Sequence, residues 1–238
     1  MRRLILKVLF LLLGVAPLAC AADRYVKTPD GFQIAYVLKK AKQPRGSVLL
    51  VHGLGEDLDT WYRFAKSLRK AGWNTLSIDL RGHGLSKTLE NEEYNWSDLT
   101  DALLQGASRD VETALQLLDG DEHIWVVGAS FGANLVFNLA AQETKIEGAI
   151  LLSPSLNYAG VMTWTAAKKM RAMPILFLAS AGDLRASEGA TELFNRVPGP
   201  KVLKIYPGLI HGTALLEEIK NLDKEILAWM EHPIAEAV

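Results

Sequence analysis

The stretch Trp125-Val126-Val127-Gly128-Ala129-Ser130-Phe131-Gly132-Ala133 limits most sharply what this chain can fold into. A short apolar run leads straight into Gly-Ala-Ser-Phe-Gly, and a helical pattern through Asn134, Leu135, Phe137 and Leu139 follows. That is a strand, a sharp turn and a helix. A serine at the apex of such a turn has a strained backbone and an exposed hydroxyl. Gly128 and Gly132 stand on either side of it because larger side chains there would collide with the neighbouring strand or helix. The pattern G-x-S-x-G recurs by chance, so its weight comes from the elements around it.

Those elements alternate. Pro29-Asp30-Gly31 opens a half-exposed strand through Phe32, Ile34 and Tyr36, one of an amino-terminal antiparallel pair. Ser47 to Val51 is a continuous apolar run, as expected of a strand buried on both faces, and it ends in His52-Gly53-Leu54-Gly55. A helix is predicted over residues 60–71, with Gly72 as its stop, followed by a strand over 74–78 that runs into Asp79-Leu80-Arg81-Gly82-His83-Gly84-Leu85-Ser86. A long amphipathic helix is expected from Ser97 to Leu118. Beyond the serine turn, strands are predicted at 148–152, 174–179 and 202–206, helices at 187–195 and 215–231, and an irregular segment over 155–172.

Strands alternating with helices predict an α/β fold with a mostly parallel sheet covered on both faces. In such sheets reactive groups gather beyond the carboxyl ends of strands. His52-Gly53, Ser130, Asp183 and His211 all follow predicted strands directly. A serine hydroxyl is a weak nucleophile until an imidazole accepts its proton, and a carboxylate holds that imidazole in the useful tautomer. Ser130, Asp183 and His211 supply the three groups. Asp183 also has a local reading as the N-cap of the helix after it, and Glu188 is a rival acid. His52 and His83 read as struts bonding loop backbones, His123 as a surface residue, and Asp79 as the organiser of the Arg81–Ser86 loop.

The order Ser130, Asp183, His211, taken with His52-Gly53-Leu54-Gly55, Asp79 to Ser86 and Gly128 to Gly132, resembles an α/β-hydrolase along nearly the whole of residues 22–238. The two loops resemble the monoacylglycerol lipase, lysophospholipase and serine aminopeptidase-like branch in particular. The resemblance implies an eight-stranded sheet, no cofactor, and an oxyanion hole made by the backbone N–H groups of Phe131 and Leu54. Gly53 and Gly55 remain alternatives to Leu54. In this fold a cap after the sixth strand usually sets specificity, and here it is reduced to about residues 155–172. A minimal cap favours short or medium acyl esters, or a lysolipid.

Arg2, Arg3 and Lys7 precede an apolar run over 8–15 that is too short to span a bilayer, and small residues follow at Ala19, Ala21 and Ala22. Residues 1–21 therefore read as a signal peptide, and the domain as exported, either periplasmic or secreted. The alternative is lipidation of Cys20, the single cysteine, which would anchor the chain to a membrane. Removing the segment takes three basic and no acidic residues, so 26 basic residues become 23 against 27 acidic and the charge moves from −1 to −4. With no block of like charges, no nucleic-acid partner is expected, and no His, Cys or acidic cluster has metal-site spacing.

Three classes fit. An ester hydrolase acting on a small-molecule ester or lipid is the leading reading. A peptidase would need an amine-recognising pocket, for which Glu56 and Asp57 are the only hint. A binding protein on the same fold would be expected to have lost a triad member.

Overall fold

Along the strand Gly46–Val51 the side chains divide between two apolar layers, Val48 and Leu50 entering one buried cluster and Leu49 and Val51 the other. The two-residue period of a strand thus turns one apolar run into two cores. The structure, a computed structural model, describes residues 24–233. Residues 1–21, expected to be a signal peptide and including Cys20, lie outside the described residues.

The central sheet has eight strands: β1 (Arg24–Lys27), β2 (Gln33–Lys39), β3 (Gly46–Val51), β4 (Trp73–Ile78), β5 (Ile124–Ala129), β6 (Ile146–Leu152), β7 (Ile175–Ser180) and β8 (Lys201–Tyr206). Their spatial order is β1-β2-β4-β3-β5-β6-β7-β8. Strands β3 to β8 pair in parallel, while β2 is antiparallel to β4 and β1 to β2. The chain reverses its direction of travel across the sheet at β3, and at such a switch point the loops leaving the strands diverge and open a crevice.

The helices are α1 (Tyr62–Lys70), α2 (Asp101–Gln105), α3 (Ser108–Gln116), α4 (Phe131–Gln142), α5 (Trp164–Lys169), α6 (Leu184–Arg196), α7 (Ala214–Glu218) and α8 (Leu222–Glu231). Phe64 and Leu68 of α1, Leu215 of α7 and Ile226 of α8 cover one face of the sheet. Leu104, Val111, Leu135, Phe137, Ala167 and Leu193, from α2 to α6, cover the other.

The structure corrects four local expectations. Strand β2 is not half-exposed. Ile34, Ala35, Tyr36 and Val37 are all buried, because the Asp79–Ser86 loop folds over it and the Ser86 hydroxyl accepts the Ala35 N–H at 2.7 Å. The helix expected over 97–118 is a short 3₁₀ turn, then α2 and α3, broken around Gly106. Arg81 causes the break. Its guanidinium lies where a side chain at residue 106 would stand, and it donates to the freed Leu103 carbonyl at 3.3 Å. The carboxyl-terminal helix is interrupted between α7 and α8, with Asn221 in the left-handed conformation that asparagine tolerates. Finally, residues 155–172 are ordered: a hairpin of Asn157–Tyr158 with Val161–Met162 precedes α5.

This segment is pinned to α4 and to itself. Asn134 on α4 donates to the Val161 carbonyl at 2.9 Å and accepts the Ser155 N–H at 2.9 Å, while Asn138 donates to the Met162 carbonyl at 3.0 Å. Thr163 closes the segment on itself by donating to the Ser155 carbonyl at 3.0 Å.

Candidate active site

Ser130 sits between β5 and α4 with φ +54 and ψ −118, a conformation that costs an L-residue about 1–3 kcal/mol. Two close approaches allow the turn. A side chain at Gly128 would strike the Gly132 backbone, and one at Gly132 would strike the carbonyls of Val51 and His52. The Ser130 N–H donates to the Leu152 carbonyl at 2.8 Å, tying the turn to β6. The result is a hydroxyl held above the sheet's carboxyl edge.

His211 reaches this hydroxyl from the loop after β8. Its Nε2 lies 2.8 Å from Ser130 Oγ, and its Nδ1 lies 2.5 Å from Asp183 Oδ2. With Nδ1–H donating to the carboxylate, the Nε2 lone pair faces the serine proton. Asp183 also accepts the Ala186 N–H at 3.4 Å, so the N-cap reading and the histidine contact hold together on two oxygens of one carboxylate. Glu188 is exposed on α6 and has no contact with His211.

Two serines that the sequence reading passed over support the His211 loop. Ser153, buried at the end of β6, accepts the Gly212 N–H at 2.9 Å. Ser180, the last residue of β7, donates to the Gly208 carbonyl and accepts the Ile210 N–H at 3.1 Å. The signal available for both is a hydroxyl at the carboxyl end of an otherwise apolar strand.

On the other side of Ser130, the segment His52 to Gly55 offers three successive N–H groups. The Gly53 N–H is taken by Glu56 Oε2 at 2.7 Å and the Gly55 N–H by His83 Nε2 at 3.1 Å. The Leu54 N–H, like that of Phe131 at the start of α4, has no hydrogen-bond partner among the described residues. A Cβ built on Gly53 would lie 3.1 Å from the Ser130 Cβ, so this loop stands directly against the serine.

Beneath that loop His52 and His83 are buried with rings 5.0 Å apart, and Trp96 stacks on His83 at 5.6 Å. His52 donates from Nδ1 to the Gly53 carbonyl at 2.7 Å and accepts the Leu80 N–H on Nε2 at 3.0 Å. His83 donates from Nδ1 to the Arg81 carbonyl at 2.9 Å. Burial, and then the neighbouring His83, push the His52 pKa down to about 3, and burial lowers that of His83. Asp79 accepts the N–H groups of Leu58 at 2.7 Å and Leu85 at 2.8 Å, and burial raises its carboxyl to about 6. Arg81 anchors the whole loop, bound to Asp110 at 2.6 Å and to Asp30 at 2.9 Å. His123 is exposed and pairs with Glu147 at 2.9 Å.

Both acidic residues suggested for amine recognition are engaged elsewhere. Glu56 Oε1 accepts the Thr213 hydroxyl while Oε2 holds Gly53, and Asp57 accepts the Asp59 N–H at 3.0 Å. The mouth of the site is open. The His211 side chain is 47% exposed, and Leu184 and Leu209 beside the acid and the histidine are 66% and 79% exposed. Among the described residues no three His, Cys, Asp or Glu side chains gather as a metal-binding group.

Comparison with known proteins gives a consistent picture of the fold. A family model described as the alpha/beta hydrolase fold matches residues 46–183. The Arabidopsis thaliana protein named "Putative methylesterase 14, chloroplastic" is 28% identical over 131 residues, 55% of this chain and 33% of that protein. The chain thus matches about a third of that relative's length. Among solved structures, a lipase in its open form superposes with a TM-score of 0.73 at 14% identity, covering 87% of this chain and 97% of its own. The Pyrococcus furiosus esterase Pf2001 gives 0.71 at 15% identity, covering 89% and 90%. A soluble variant of Saccharomyces cerevisiae monoglyceride lipase gives 0.64 at 15%, covering 92% and 98%. At these identities the structural likeness is one of fold.

Proposed function

The chain belongs to the α/β-hydrolase fold family, and on that premise we propose that it is an exported serine hydrolase that cleaves carboxylic esters through an acyl-enzyme. The observation that carries this reading is the continuous contact from Ser130 Oγ to His211 Nε2 at 2.8 Å and from His211 Nδ1 to Asp183 at 2.5 Å.

In the proposed reaction Ser130 Oγ attacks the ester carbonyl as His211 Nε2 takes its proton, and Asp183 stabilises the imidazolium that forms. The N–H groups of Leu54 and Phe131 donate to the negative oxygen of the tetrahedral intermediate; losing one such donor typically costs about a hundredfold to a thousandfold in rate. The C–O bond to the alcohol then breaks, and the alcohol leaves with the proton from His211. Water, deprotonated by the same nitrogen, attacks the acyl-enzyme, releasing the acid and restoring Ser130.

The pinned, minimal cap and the apolar rim of Leu184 and Leu209 favour short or medium acyl esters, or a lysolipid, over a deeply enclosed long chain. Amide hydrolysis with amine recognition is the weaker alternative, because Glu56 and Asp57 are already bonded. Export rests on the basic start, apolar run and small-residue exit of residues 1–21.

A fluorophosphonate probe tests the proposal. It is expected to label the chain, recovered from the exported fraction with the mass of a polypeptide beginning near Ala22, and to leave Ser130→Ala unlabelled. Labelling of the variant would move the nucleophile elsewhere. Turnover that rises steadily to the longest p-nitrophenyl esters would sink the small-ester assignment.

A further inference from the structure

The edge of the sheet opposite Ser130 carries a concentration of positive charge. A groove of about 940 Å³ runs between the β2–β3 connection and the end of α1, lined by Lys40, Lys42, Arg45, Lys66, Arg69 and Lys70 with no carboxylate among its lining residues. Local structure accounts for part of this. Arg69 and Lys70 end α1 at its negative pole, and Arg69 donates to Thr75 at 3.0 Å. Arg45 lies over the Trp73 ring at 4.8 Å and pairs with Glu231 at 3.4 Å.

Lys40, Lys42 and Lys66 have no such explanation. They are exposed, and among the described residues they have no hydrogen-bond or ion-pair partner. Of the acids close by, Asp223 accepts the Ser67 hydroxyl at 2.8 Å and Glu231 is committed to Arg45. On one flank the positive field ends at Asp121 and Glu122, which share the neighbouring depression with Lys40 and Arg45. In a chain of net charge −1, like charges held together in this way are not a consequence of composition, and they repel until something neutralises them.

From this arrangement we propose that the groove and its lysines form a docking face for the anionic surface of a phospholipid bilayer. The cations are spread along a groove rather than converging on one point, which matches an array of headgroup phosphates better than a single anion. No aromatic ring lines the groove, and Trp73 nearby is buried under Arg45, so the face offers no base-stacking platform, which argues against a single-stranded nucleic acid. No helix among the described residues is long and apolar enough to cross a membrane, so this contact is peripheral and electrostatic. Strand β3 alone separates the groove from the serine loop by about 20 Å, at roughly 3.3 Å per residue. Docking would therefore hold the Ser130 site facing away from the bilayer.

The test is co-sedimentation of the full chain with vesicles of phosphatidylcholine alone and of phosphatidylcholine mixed with phosphatidylglycerol, at low and high salt. The same is done for a variant carrying Lys40→Gln, Lys42→Gln, Lys66→Gln and Lys70→Gln. Binding is expected only to the anionic vesicles and is expected to fall with salt. At about fivefold per basic side chain near such a surface, the variant should lose several hundredfold in partitioning. Its melting temperature should not fall, since repulsion among the lysines is relieved, and its turnover of a soluble p-nitrophenyl ester should not change. Equal binding to neutral vesicles, undiminished binding by the variant, or binding to heparin with none to vesicles overturns the proposal. So does a variant that loses turnover, since the face would then belong to the reactive site. The vesicle measurement reads the same whether or not Ser130 hydrolyses esters.

Discussion

Two histidine-bearing regions leave the same edge of the sheet and are built in opposite ways. His52 and His83 are buried, and each ring uses both nitrogens on backbone groups, so each is a neutral strut between two loops. His211 stands on a loop nearly half exposed, with one nitrogen on a carboxylate and the other facing a hydroxyl. The difference lies in what each nitrogen meets. A ring locked at both ends by peptide groups would lose a hydrogen bond on taking a proton, whereas His211 can accept one at Nε2 while Asp183 stabilises the resulting charge.

The largest effect should come from exchanging the two kinds of histidine as targets. His211→Ala is expected to lower turnover by about 10⁴-fold or more and to change stability by about 0.5 kcal/mol at most. His83→Ala should do the reverse. The lost hydrogen bonds and the space left under Trp96 should cost about 2–3 kcal/mol of stability, with no more than about a tenfold fall in turnover through a loosened Gly55. Initial rates beside urea midpoints separate the two. If His83→Ala lost turnover at unchanged stability, the contrast would be broken.

Between the two regions stands Glu56, one oxygen on Gly53 of the strut-supported loop and the other on Thr213 of the His211 loop. It is read as a positioning residue that keeps the Leu54 N–H and His211 in register across Ser130. Glu56→Ala should lower kcat by about 10- to 100-fold, the effect of misplacing reacting groups by an ångström or less, with little change in KM. Glu56→Gln should recover most of it, because its carbonyl can accept the Gly53 N–H and its amide can donate to Thr213. A glutamine variant as slow as the alanine one would mean that the negative charge, and not the tether, is required.

The tether shows where reading the sequence stops. Alternation of apolar runs with helical patterns was enough to foresee a parallel sheet and to line up Ser130, Asp183 and His211 each beyond the end of a strand, since those features are local. The breaks near Gly106 and Asn221 were not foreseen. The periodicity on either side of Gly106 is unbroken in sequence, and the break comes from Arg81, distant along the chain, inserting its guanidinium there. Ser153, Ser180 and Glu56 were likewise invisible as supports of the site, because a hydroxyl or carboxylate has no periodic signature and its partners lie on other loops. The burial of Ile34 to Val37 in β2 depends in part on a loop that returns from residues 79–86 to cover it.

The last predicted effect is read per pH unit and concerns the struts themselves. Burial, assisted by His83, holds the His52 pKa at about 3 against an ordinary 6.5. Below pH 6.5 the unfolded chain therefore takes up a proton that the folded chain refuses until about pH 3. The contribution of His52 to stability is complete above the upper limit and is lost as the pH falls through this window, at about 1.4 kcal/mol per pH unit. Asp79 acts with the opposite sign. Its carboxyl is raised from 3.8 to about 6, so the folded chain takes up that proton first, and stability is gained as the pH falls between those values. In the overlap the two slopes oppose each other. His52→Gln keeps an acceptor for the Leu80 N–H but has nothing to titrate, so it leaves the Asp79 slope unopposed. Unfolding free energies from urea titrations between pH 6 and pH 4 should then fall less with acid than those of the unsubstituted chain, by about 1.4 kcal/mol per unit. Parallel curves would mean that His52 is already protonated in the fold, and a protonated ring could not accept the Leu80 N–H that makes it a strut.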